Sequence, residues 1–93
     1  MRITNKKLNE KIDLLNQITN SPATPWSKVG GKLVANVGNY HLYEAYGGAC
    51  VHRMANTSGA AESMVTYGHV PKRELFNRLV SYIAGVEAGK KLS

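Results

Sequence analysis

The chain has a single cysteine, Cys50, so no internal disulfide can form, which fits a reducing compartment. Acidic residues are also scarce: six carboxylates stand against twelve Lys and Arg, for a net charge of +6. No stretch approaches the ~18 consecutive apolar residues of a membrane span. The opening Met1-Arg2-Ile3-Thr4-Asn5-Lys6-Lys7 has no apolar core, so no secretory signal is expected. What is present is an ordinary globular mixture: 93 residues, 43% of them hydrophobic, enough for one domain with one core.

Residues 4–19 read as a helix, with Leu8, Ile12, Leu15 and Ile18 at helical spacing and Thr4 as its N-cap. Asn20-Ser21-Pro22 ends it, and residues 20–31 read as a loop holding Trp26, expected to fold onto the core. Leu33 to Val37, Tyr40 to Tyr46 and Ala49 to Ala55 alternate as strands. Two-residue turns at Gly38-Asn39 and Gly47-Gly48 join them. Tight turns predict that Val37 faces Tyr40, Ala35 faces Leu42, Tyr46 faces Ala49 and Glu44 faces Val51. One face of this meander then carries Leu33, Ala35, Val37, Tyr40, Leu42, Tyr46, Ala49, Val51 and Ala55, interrupted by Glu44 and Arg53, which could pair diagonally. The other carries Val34, Asn36, His41, Tyr43, Ala45, Cys50, His52 and Met54 and should be open. Glu62 to Tyr67 reads as a fourth strand. Pro71 suits the first position of a last helix, whose stripe is Leu75, Phe76, Leu79, Val80, Ile83 and Val86 and whose cap is Gly89. The expected fold is a single α+β domain over residues 1–93, α-β-β-β-β-α. Its antiparallel sheet of three to four strands carries both helices on one face.

Two constellations could bind a ligand. Lys72 and Arg73 follow Pro71 where the helix dipole disfavours cations, with His69 just outside and Arg78 about one and a half turns along. Free N–H groups and these cations predict an anion-binding site at His69, Lys72, Arg73 and Arg78. The open sheet face offers a second, a platform of His41, Tyr43 and His52 able to stack on a base or to bury itself in a dimer. Cys50 and His52, with His41 expected diagonally opposite His52, lack the fourth ligand of a zinc site, so neither a metal nor another cofactor is expected. No carboxylate pair is set as an acid/base dyad, and a mid-strand cysteine packs more often than it reacts. The chain therefore reads as a non-enzyme.

The stretches Gly38-Asn39-Tyr40-His41-Leu42, Ala45-Tyr46-Gly47-Gly48, His52-Arg53-Met54 and Gly68-His69-Val70-Pro71-Lys72-Arg73-Glu74-Leu75 resemble a family of uncharacterised small accessory proteins of bacteriophages and prophages. The resemblance spans nearly the whole chain, from Ile3-Thr4-Asn5 to the last helix. It departs at Ser58-Gly59-Ala60-Ala61, where the family would carry a glycine run. It implies a viral accessory protein acting in the host bacterial cytoplasm, without implying a reaction. In element order alone, the chain is similar to double-stranded RNA-binding domains, whose last helix meets phosphates with a basic N-terminus. Together with the basic charge, the expected partner is anionic, a nucleic acid or a nucleotide, in the service of modulating host functions or evading host defence. Two other functions fit the same residues: inhibition of a host protein through the open sheet face, and sequestration of a nucleotide second messenger by an oligomer. The apolar part of the open face, Val34, Tyr43, Ala45, Cys50 and Met54, predicts a homo-oligomer. Light scattering at high micromolar concentration should then report a dimer or larger, and a salt-independent monomer would remove that expectation.

Overall fold

A computed structural model describes residues 2–92. Helix α1 spans Asn5–Ile18 and α2 spans Lys72–Leu92, with five strands between them: β1 Trp26–Val29, β2 Lys32–Ala35, β3 Tyr40–Ala45, β4 Gly48–Met54 and β5 Ala61–Met64. The strands form two antiparallel sheets, a β1–β2 ribbon and a three-stranded sheet ordered β3-β4-β5. The α+β class and the flanking helices are as the sequence predicts.

Helix α1 begins where Thr4 accepts the Lys7 N–H at 3.3 Å. It ends in a Schellman arrangement, with Asn20 at φ +55 and the Asn20 and Ser21 N–H groups donating to the Gln17 and Asn16 carbonyls. Helix α2 runs through Gly89 to Leu92, beyond the expected cap, and Lys90 reaches across to the Ile18 carbonyl at the end of α1. Both helices lie on one face of the three-stranded sheet. Leu8, Ile12 and Leu15 of α1 and Leu75, Leu79 and Ile83 of α2 close on Tyr40, Ala49 and Val51.

The turn assignments need correction. Gly30 and Gly31, at φ +58 and +80, make the tight turn that pairs β1 with β2, so residues 26–29 are a strand and not loop. Gly38-Asn39 is not a hairpin turn. Asn36 to Asn39 is a turn closed by the Asn39 N–H on the Asn36 carbonyl, and it carries the chain from one sheet to the other. The pairs Val37 with Tyr40 and Ala35 with Leu42 are therefore absent, and Leu33 and Val37 are exposed. Trp26 is 42% exposed and sits on Gly59, where an added Cβ would come within 2.5 Å of the indole, so it anchors the ribbon to the 55–60 loop and not to the core.

The β3–β4 turn falls at Tyr46-Gly47, one residue earlier than expected, so Glu44 faces Ala49 and Leu42 faces Val51. Moving the turn by one residue shifts the register by two. Side chains alternate with period two, so the face assignment survives the shift. Tyr40, Leu42, Ala49 and Val51 point to the helices, and His41, Tyr43 and His52 to the other side. Tyr46 and Ala55 leave the expected core face and are exposed, whereas Cys50 and Met54 on the opposite face are buried. Arg53 pairs with Glu62 at 3.5 Å and not with Glu44.

Strand β5 is shorter than predicted because Val65 turns to φ +75, a conformation a β-branched residue rarely adopts. Continuing the register of Val51 with Met64 would set Thr66 opposite Ala49, yet Val70 occupies that place, bonded both ways to Ala49 at 2.8 and 2.9 Å. Five residues, four more than the register requires, thus lie between β5 and the bridge. At the other end of the sheet, the buried Asn16 amide donates to the Tyr40 carbonyl at 2.9 Å and accepts its N–H at 2.8 Å. Asn16→Ala should cost about 2–4 kcal/mol in urea unfolding, because two buried backbone groups lose their partners; a loss below about 0.5 kcal/mol would mean water replaces the amide.

Candidate ligand-binding surfaces

The four residues of the expected anion site do not converge. The Val70 bridge fixes the entry to α2, and the helical turn then separates neighbouring side chains by about 100°. Lys72 turns towards the β3–β4 hairpin, 3.7 Å from Glu44, where Ala45, Gly47 and Gly48 line a shallow hollow. Glu44 also accepts from the Asn5 amide at 2.6 Å, which ties the start of α1 to the same point. Lys72 is thereby matched by a carboxylate, and the unfavourable dipole term is locally offset.

Arg73 and Arg78 face a different space. Together with Val65, Pro71, Asn77 and Tyr82 they line a cleft of about 890 Å³ between the start of α2 and the end of β5. It is a groove broadly open to solvent, not an enclosed pocket. Residues 74 and 78 are one turn apart, and the Arg78 guanidinium meets the Glu74 carboxylate at 3.2 Å. An exposed pair of this kind is weak, so a stronger acid can replace Glu74 at little cost. Tyr82 also lines the cleft; burial first, and the neighbouring Tyr82 second, raises the Tyr40 phenol above its usual range.

His69 belongs to the sheet platform instead. Because Val70 takes a place on the helix side of β4, its neighbour His69 projects to the open side. There it meets Tyr43 at 5.5 Å and Tyr46 at 5.4 Å between ring centroids. Tyr43 stacks on His52 at 4.3 Å, and His52 meets His41 edge-on at 5.9 Å. All three histidines of the chain thus join Tyr43 and Tyr46 in one row of rings. His41 and His52 face each other directly across the strands, not diagonally. Sequence reasoning named His41, Tyr43 and His52 but missed that His69 and Tyr46 extend the row. The signal for Tyr46 was in the Tyr-Gly-Gly turn, which permits two placements.

Cys50 is fully buried beside this row, and burial holds its thiol above the usual range despite the opposing effect of Ser63, so it is a poor nucleophile. Among the described residues, no three of His, Cys, Asp and Glu are grouped to hold a metal, and no helix is long and apolar enough to cross a membrane.

Burial lowers the basicity of His41 and His52, and each is lowered further by a neighbouring imidazole, His52 for His41 and His69 for His52. The folded state therefore favours the neutral rings, and as pH drops through 6.5 the unfolded chain takes up protons first. Their contribution to stability is complete above pH 6.5 and is lost as pH falls below it. Urea midpoints should decline across that window, less so in His41→Gln/His52→Gln, and NMR titration of both rings should give midpoints below 6.5; midpoints at or above it would contradict the cause assigned. Comparisons with known protein families, with curated proteins and with solved structures find no match to this chain.

Proposed function

We propose that this chain binds an anionic, phosphate-bearing partner, a nucleotide or a nucleic acid, in the α2 cleft, without catalysing a reaction. The observation that carries this reading is that Arg73 and Arg78 open onto one cleft of about 890 Å³ together with a tyrosine ring and the Asn77 amide. Guanidinium groups are weakly hydrated planar donors that grip phosphate oxygens in pairs. Val65, Pro71 and Tyr82 supply apolar surface for the rest of a nucleotide. The net charge of +6 favours the encounter with any polyanion. In the setting implied by the family resemblance, such binding would serve a bacteriophage accessory protein in the host cytoplasm, acting on host functions or defence.

The test compares charge reversals in variants confirmed to be folded. Arg73→Glu/Arg78→Glu should weaken binding of nucleotides or of nucleic acid by at least about tenfold, equivalent to ~1.4 kcal/mol. Lys72→Glu, next to Glu44 and outside the cleft, should matter less, and Lys90→Glu/Lys91→Glu least. Equal losses from all three would indicate diffuse electrostatics in place of a site. Thermal stabilisation by a mononucleotide but not by duplexes would select the sequestering function. Capture of a host protein that is insensitive to salt and to both arginine reversals would replace this reading with inhibition through the sheet face.

A further inference from the structure

The open sheet face carries a feature that the cleft does not use. Tyr46 occupies the first position of the β3–β4 turn at φ +54, where glycine, asparagine or aspartate serve best. It is nonetheless a tyrosine, and the residue is 95% exposed. The turn would be more stable with a smaller residue, and a ring so exposed adds nothing to the core. A large ring at a strained, solvent-facing turn stabilises neither the turn nor the core and is free to meet a molecule outside the chain. The ring rests edge-on against His69, whose Nε2 is buried with no hydrogen-bond partner. Beyond His69 runs the stack of Tyr43, His52 and His41. The looped-out residues add a second displayed ring, Tyr67, fully exposed at a turn where Thr66 donates to the Gly68 carbonyl at 2.9 Å.

The charge on this face narrows the partner. The carboxylates of the three-stranded sheet, Glu44 and Glu62, pair with Lys72 and Arg53 and belong to the helix-side alternation of their strands. A phosphate backbone along the ring row therefore meets no facing carboxylate of the sheet, and Lys72 stands round the hairpin end. Imidazoles and tyrosines present planar π faces and polar edges together. Unpaired bases match that combination, because every base has a face to stack and an edge to hydrogen-bond. In a duplex the same faces are covered by neighbouring base pairs.

From these observations we infer that the ring row is a binding surface for single-stranded nucleic acid, on which an unpaired base stacks against the exposed ring of Tyr46. This surface is separate from the arginine cleft and does not depend on it: neither Tyr46 nor His69 lines that space.

The experiment is fluorescence anisotropy of the full chain with labelled oligo-dT and oligo-U of about a dozen nucleotides, and with a duplex of equal length. Both single strands should bind more tightly than the duplex. Tyr46→Gly should weaken single-strand binding at least about fivefold while leaving the melting temperature unchanged or higher, since glycine suits the turn. Tyr46→Phe keeps the stacking face and should bind within about twofold of the original chain. The loss from Tyr46→Gly should be the same in the Arg73→Glu/Arg78→Glu background, which separates this surface from the cleft. Wild-type affinity in Tyr46→Gly, a duplex preference, or no single-strand binding at all would each overturn the inference, and mononucleotide binding sensitive to the arginines would still leave the cleft standing.

Discussion

The buried amide of Asn16 pairs with both backbone groups of one residue, Tyr40, and much of the architecture follows from that bidentate contact. It docks α1 against the first residue of β3 and makes the outer edge of that strand a hydrogen-bonded edge at Tyr40. With Tyr40 facing the helices, alternation sends Leu42 to the core and His41 and Tyr43 to the open side. An amide is well suited to the role, since it offers one donor and one acceptor in the geometry of a peptide group. A buried apolar residue in its place would leave the strand edge unsatisfied at the point where the sheet begins.

The second constraint is the two-way bond between Ala49 and Val70. Strand β5 stops at Met64, and the chain returns to the central strand only at Val70, after an excursion of five residues. That return does three things at once. It aims His69 into the ring row, starts α2 immediately afterwards, and leaves Tyr67 displayed in the excursion. Basic residues adjacent in sequence are then parted by the helical rotation, Lys72 towards the hairpin and Arg73 towards the cleft. Two surfaces of different chemistry result, one of guanidinium groups beside a tyrosine and one of imidazole and phenol rings. Pro71 lines the first of them.

Helices α1 and α2, the Thr4 cap and the division of β3 and β4 into a core face and an open face were legible in the sequence, because apolar spacing and alternation act within a few residues. Even a misplaced turn did not disturb the face division, since moving the Tyr46-Gly47 turn by one residue changes the pairing by two. What the sequence could not decide was which strands pair. Gly30-Gly31 and Gly38-Asn39 are equally good turn dipeptides, and only the docking of Trp26 on Gly59 and of Asn39 on the Pro22 carbonyl selects the first as a hairpin and the second as a crossing. The dispersal of His69, Lys72, Arg73 and Arg78 has the same origin. Their closeness along the chain was plain, but the directions of their side chains were set by the bridge from Val70 to Ala49 and by Glu44, and both Ala49 and Glu44 lie twenty or more positions away. Local periodicity determines which face of an element is apolar; the pairing of distant backbone groups decides where that element points.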